Sequence, residues 1–125
     1  MIKLENLFRV FCTGDLETTA LNNINLTVSE GEFLAVMGPS GCGKSTLLSI
    51  LGMLDSPTRG NYHFEAKDIS DLSESKLSAL RKNSLGFVFQ SFNLIDELSV
   101  FDNLALPLLY QSGKNKKSKS EVKKI

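Results

Sequence analysis

Apolar and polar positions alternate in two stretches near the N-terminus. Ile2 to Phe11 alternates in part and predicts a strand. From Ala20 to Val28, the side chains Ile24, Leu26 and Val28 alternate with Asn25 and Thr27, as a half-buried strand requires. Thr13-Gly14-Asp15 predicts a turn between them, and Ser29-Glu30-Gly31-Glu32 a second one. Phe33-Leu34-Ala35-Val36-Met37 is then an unbroken apolar run of five, the pattern of a strand covered on both faces in a parallel sheet. From Ser45 to Leu54 the period changes, with Leu47, Leu48, Ile50, Leu51 and Leu54 at helical spacing and Ser56 to Gly60 closing the helix. Tyr62 to Glu65 predicts a short strand. Ser73 to Lys82 predicts an amphipathic helix, with Ser73 as its cap, Leu77 and Leu80 inward, and Lys76 and Arg81 toward its C-terminal side. Leu85 to Phe89 predicts a second apolar strand, and Val100 to Tyr110 a helix that Pro107 disturbs. There is no internal repeat.

Composition narrows the class. The 125 residues are 42% hydrophobic and 22% charged, which excludes a wholly disordered or collagen-like chain and suits one globular domain. No apolar run approaches the ~20 residues of a membrane span. The first residues lack the charged, apolar and small-residue order of a signal peptide. Two cysteines, Cys12 and Cys42, offer neither a disulfide framework nor a zinc site, and a reducing cytosol is the expected compartment. The formal net charge is zero, which argues against a nucleic-acid partner. Charge is unevenly placed: residues 1–110 carry 8 basic and 13 acidic side chains, and residues 111–125 carry six lysines and one glutamate. With no aromatic among those lysines, 111–125 reads as a solvated polar segment or the start of a surface helix rather than a basic arm.

The chemistry is concentrated in one loop. Gly38-Pro39-Ser40-Gly41-Cys42-Gly43-Lys44-Ser45-Thr46 fits G-x-x-x-x-G-K-[ST] in full. Its glycines permit positive φ and bring main-chain N–H groups close to a phosphate. The helix opening at Lys44 directs unpaired N–H groups and a positive dipole end at the same anion. Lys44 adds a mobile charge for the β- and γ-phosphates, Ser45 a hard oxygen for Mg²⁺, and Thr46 a contact to the α-phosphate. The apolar run before the loop and the leucine-rich helix after it supply the required context. Cys42 is read as a small residue where small size is needed, with a redox role as the alternative. The loop predicts a site for a nucleoside triphosphate with Mg²⁺.

Further motifs carry a family resemblance. They are Leu21-Asn22-Asn23-Ile24-Asn25-Leu26, the stretch from Gly31 to Gly41, Leu51-Gly52-Met53-Leu54-Asp55, Leu80-Arg81-Lys82 and Gly86-Phe87-Val88-Phe89-Gln90. Leu94, Leu98, Ser99-Val100 and Asn103-Leu104 complete the set. From about Ile2 to Gln111 the chain resembles the N-terminal part of the ATP-binding subunit of an ABC transporter, of the subgroup that drives lipoprotein release and macrolide-type export. The resemblance implies an α/β fold: a P-loop NTPase core, incomplete here, with an N-terminal antiparallel β-subdomain. It divides the chain into residues 1–110, part of the ATP-binding domain, and 111–125, the start of the remainder. It implies ATP and Mg²⁺ as ligands, a membrane-spanning permease and a second copy of the subunit as partners, and a place on the cytoplasmic face of the membrane.

The same resemblance assigns individual residues. Gln90 matches the glutamine that senses Mg²⁺ and the γ-phosphate and links the site to the membrane subunit. Phe11 falls where the family carries an aromatic, most often Tyr, that stacks on adenine; Phe keeps the π-face. A core aromatic is the other reading. Ser91 to Val100 is similar to the surface that meets the permease, with Phe92, Leu94 and Ile95 as contact residues.

Other family motifs do not occur in these 125 residues. No LSGGQ, no apolar strand ending in Asp-Glu and no histidine after Gln90 is present. Asp96 and Glu97 read as solvated loop acids, and His63 as a surface residue on a short strand. Asn115-Lys116-Lys117-Ser118 lacks the aspartate of a guanine-reading motif, and three arginines are too few for a kinase lid. Hydrolysis needs a carboxylate to position water and a second to hold Mg²⁺ through its shell. No catalytic residue is assigned, and this chain alone is expected to bind ATP without efficient turnover. A non-hydrolysing nucleotide-binding or regulatory module is the alternative function. The resemblance also places a missing aspartate strand beside Phe33–Met37, so that run is expected to have an exposed edge.

Overall fold

A computed structural model gives the fold and describes residues 1–91 and 93–110, the last two by backbone alone. The lysine-rich segment and Phe92 lie outside the described residues. Two compact units are present: Met1–Leu77, and the described residues from Ser78 onward.

The first unit is built on a four-stranded sheet. Strands β1 (Ile2–Thr13) and β2 (Leu16–Val28) form a long antiparallel hairpin. Gly14 begins its two-residue turn at φ 60°, the positive value that primed hairpin turns require at that position. Strand β3 (Arg59–Phe64) pairs antiparallel with β1, and β4 (Lys67–Asp68) with β3, giving the order β2-β1-β3-β4. The predicted N-terminal antiparallel β-subdomain is therefore present. Both hairpin strands run longer than their apolar alternation indicates.

Three bulges bend this hairpin. Between Leu4 and Leu7, β1 carries one residue more than β2; between Leu7 and Val10, β2 carries the extra residue twice. Asn6 takes φ 48° at the first bulge, and its N–H donates to the Asn25 Oδ1 at 2.9 Å. Gly60 lies opposite at φ 96°, where a Cβ would stand 2.3 Å from the Asn6 carbonyl oxygen. Only glycine fits both the dihedral and the space.

Helix α1 (Lys44–Leu51) buries Leu47 and Ile50 against the rest of this unit and leaves Leu48 exposed. It stops before the predicted Leu54. The Leu54 N–H donates to the Ser49 carbonyl and the Met53 N–H to the Ile50 carbonyl, a Schellman closure with buried Met53 at φ 57° in the usual glycine position. Ile50, Met53, Tyr62, Ile69 and Leu77 border one small cleft, so α1, β3 and the start of α2 (Glu74–Ser84) share a core with Leu4, Leu7 and Leu21. Tyr62 anchors it: its hydroxyl donates to the Leu51 carbonyl at 2.6 Å, and burial pushes its pKa up to about 12.

Two predicted strands are not formed. Phe33–Met37 pairs with no strand among the described residues, and Phe33 and Met37 are 94% and 88% exposed. A strand apolar on both faces needs a neighbour on each edge and a layer on each side. The four strands among the described residues are antiparallel and none takes that place. Leu85–Phe89 in the second unit is likewise without strand pairing; Phe87 and Phe89 stack on each other at 5.6 Å. The second unit also holds helix α3 (Val100–Tyr110), which continues past Pro107 where a disturbance was expected. Its start is capped by Ser99, whose Oγ accepts from the Asp102 N–H at 3.1 Å. Pro107 removes only the N–H that would have met the Asn103 carbonyl.

Candidate functional site

The loop from Gly38 to Gly43 leaves the unpaired apolar run and enters α1 through three glycines at positive φ: 156° at Gly38, 81° at Gly41 and 91° at Gly43. Gly43 is the N-cap of α1 and brings no side-chain hydrogen bond, and the first turn holds no acidic residue. The uncapped N–H groups and the positive end of the helix therefore keep their capacity for an outside anion. An open cavity of about 310 Å³ adjoins this end, lined by Ala20, Ser40, Gly41, Gly43, Lys44, Ser45 and Thr46.

Gly43 is wedged against the sheet. A Cβ there would stand 2.5 Å from the Ala20 carbonyl oxygen and 3.0 Å from Leu21 Cδ2. Ala20 is itself the extra residue of the third bulge, since Arg9 pairs with Leu21 and Val10 with Thr19. The bulge thus pushes one main-chain carbonyl to the back of the loop. Ala20 was not among the predicted site residues, and its side chain carries no signal that could have revealed it.

The Lys44 ammonium folds back onto its own loop. Nζ donates to the Gly38 carbonyl at 2.8 Å and to the Pro39 carbonyl at 2.6 Å, and lies 3.6 Å from Cys42 Sγ. It ties the two ends of the loop together. Cys42 is an exposed free thiol. Ser45 is exposed, with its hydroxyl open to a ligand.

Among the predicted site residues, Ser40, Gly41, Gly43, Lys44, Ser45 and Thr46 converge on the cavity, while Gly38, Pro39 and Cys42 shape the loop behind it. Phe11 lies on β1 opposite Thr18, two residues along β2 from Ala20. It is 39% exposed and so is no core aromatic. The Arg9 guanidinium covers one of its faces at 4.5 Å and pairs with Asp55 at 2.8 Å. Gln90 belongs to the second unit, at an exposed bend. His63 sits on β3 as expected, 3.2 Å from the Glu5 carboxylate. Shifted carboxyls lie on the sheet: a hydrogen bond from Lys3 holds Glu5 below the usual range, and bonds from Ser70 do the same for Asp68.

Comparison with known proteins points one way. The family model described as ABC transporter matches residues 21–125. An uncharacterized ABC transporter ATP-binding protein of Methanocaldococcus jannaschii is 41% identical over all 125 residues, which cover 56% of its length. The macrolide export ATP-binding/permease protein MacB of Chlorobaculum tepidum is 40% identical over the same residues, which cover 19% of that protein. Among solved structures, the ATP-binding cassette MJ0796 in a dimeric post-hydrolysis state bound to ADP and Pi aligns with a TM-score of 0.91 and 42% identity, over 99% of this chain and 53% of that one. The chain spans about half the length of the archaeal relatives it matches.

Proposed function

The chain belongs to the ABC transporter family, in its ATP-binding part, and from that premise we propose that it binds ATP with Mg²⁺ through Gly38 to Thr46. In this proposal it serves as the nucleotide-binding part of a transporter that couples ATP hydrolysis to export across a membrane. The observation that carries the reading is the seat of Gly43 against the Ala20 carbonyl, which sets the uncapped end of α1 and the open cavity side by side.

The residues present fit the nucleotide. The cradle is lined by main chain and small side chains, as close approach of phosphate oxygens demands. Ser45 would offer its hydroxyl to Mg²⁺, which when bound neutralises phosphate charge. Lys44 would exchange the carbonyls of Gly38 and Pro39 for phosphate oxygens, a stronger charge-assisted contact. Thr46 would orient the α-phosphate. Phe11 would offer adenine the face that Arg9 leaves open. Gln90 would report the γ-phosphate and Mg²⁺ to the permease.

The solved relative is dimeric, which supports a second copy as partner. A permease partner and the cytoplasmic membrane face follow from the family premise. No helix among the described residues is long and apolar enough to cross a membrane. A non-hydrolysing nucleotide-binding or regulatory module is the second reading. It predicts binding without turnover even with a permease present.

Calorimetric titration with adenylyl imidodiphosphate, with and without Mg²⁺, tests the site. Saturable binding strengthened by Mg²⁺ is expected, and Lys44→Ala should weaken it about 10- to 100-fold. A folded chain that takes up no nucleotide, or a Lys44→Ala variant that binds as well as the parent, overturns the proposal.

A further inference from the structure

Phe11 is not held by the hairpin alone. The Arg9 guanidinium lies over its ring at 4.5 Å. Arg9 in turn reaches Asp55 Oδ1 at 2.8 Å, with 23% and 28% of the two side chains exposed. Among the described residues the buried Arg9 Nε meets no hydrogen-bond partner. An orphaned donor costs stability. The guanidinium therefore sits where Phe11 and Asp55 draw it, and not where its own donors are best served. That points to a role beyond the fold.

Asp55 is itself fixed. It follows the closure of α1, where its N–H donates to the Ser49 carbonyl at 3.3 Å, and its Oδ1 also accepts from the Ser56 N–H at 2.8 Å. Just beyond, Thr58 is fastened to β1: its N–H donates to the Phe8 carbonyl at 2.8 Å, and its Oγ1 accepts from the Val10 N–H at 3.0 Å. The end of α1 is thus locked to the stretch of β1 that carries Arg9 and Phe11. The start of the same helix faces the open cavity at Ser40 to Thr46. One helix sets the phosphate cradle at its start and, through Asp55 and Arg9, the aromatic ring at its end.

A phenylalanine has no polar atom to anchor its ring, and packing covers Phe11 only in part. The cation on its covered face does two things. It restrains the ring, so less freedom is lost when a base stacks. It also draws π density toward itself, which eases face-to-face contact between the open face and another electron-rich ring. We infer that Arg9, held by Asp55, is a positioning residue for the nucleobase and acts through Phe11. The inference rests on the nucleotide reading above and adds what keeps Phe11 fit to stack.

Calorimetric titration of the full chain with adenylyl imidodiphosphate and with inorganic tripolyphosphate, both with Mg²⁺, tests it, because only the first ligand carries a base. The readout is the ratio of the two affinities in each variant. Arg9→Met keeps an apolar stem and removes the charge, and should lower the ratio about threefold to tenfold. Asp55→Asn, which loosens the guanidinium, should lower it by a smaller factor. Arg9→Lys, which keeps the charge without the planar fork, should fall between the parent and Arg9→Met. In a Phe11→Leu background, Arg9→Met should leave the ratio where Phe11→Leu alone puts it, since the effect passes through the ring. An arginine that served only the fold would weaken both ligands alike and would act with or without that ring. A further readout needs no ligand: in NMR the Arg9 Nε–H signal should move downfield in Phe11→Leu as the ring current over it is lost. A ratio untouched by Arg9→Met, an effect that persists in full beside Phe11→Leu, or an Arg9 signal indifferent to Phe11→Leu overturns the inference. If Arg9→Met fails to fold, Arg9→Lys and Asp55→Asn decide by the same ratio. A parent chain that binds neither ligand refutes the proposed function and this inference with it, whereas binding of both with an unmoved ratio refutes the inference alone.

Discussion

The hairpin of β1 and β2 and the run Phe33–Met37 are both apolar, both read as strands from sequence, and fare in opposite ways. The hairpin carries its partner within its own turn, and three bulges curve it over a core that includes Leu4, Leu7 and Leu21. The run is the more hydrophobic of the two, yet Phe33 and Met37 stand in solvent. Hydrophobicity states what a segment needs, whereas pairing depends on whether a neighbour is within reach. Local pairs form from nearby sequence; parallel neighbours must come from far along a chain.

Four substitutions probe this contrast. The largest effect belongs to Gly60→Ala, which places a methyl against a fixed backbone oxygen at a positive φ. Strain and overpacking together should cost about 4 kcal/mol, read as a lower urea midpoint. Ile50→Ala, which empties a fully buried position, should cost about 3 kcal/mol in the same measurement. Tyr62→Phe should cost about 1 kcal/mol through the lost bond to Leu51. It should also change the alkaline limb. The Tyr62 pKa rises on folding from 10.0 to about 12 because burial disfavours the phenolate. Its contribution is therefore complete below pH 10 and is lost as pH climbs through about 12; the Phe variant should lack that slope. Smallest of all, Phe33→Ser should change stability by no more than about 0.5 kcal/mol. A cost above that of Tyr62→Phe would reveal a hidden partner for the run and break the comparison.

What could be read in advance divides along the same line. The turn of the loop from Gly38 to Gly43 was legible, because the positive φ values at Gly38, Gly41 and Gly43 call for glycine. The hairpin was legible from the alternation of Ile24, Leu26 and Val28 and from Gly14. The bulges were not, since Asn6 and Asn23 announce only polarity while their positive φ values do the bending. The end of α1 was misread because Leu54 keeps helical spacing, although buried Met53 already turns left-handed before it. The two-residue β4 was too short to leave a pattern. The four hydrogen bonds of Asn103 to the main chain of Ile95, Leu98 and Ser99 stayed hidden because the place of those atoms depends on the fold.

The bulge at Ala20 has a consequence for tolerance to change. What it delivers to the loop is a carbonyl, which every amino acid possesses, so nearly any small residue at that position performs equally well. A deletion between Leu16 and Leu21 is another matter. It would draw the strand straight, withdraw the oxygen from behind Gly43, and leave the loop without its backstop though every signature residue remained. At this joint the molecule counts residues and does not read them.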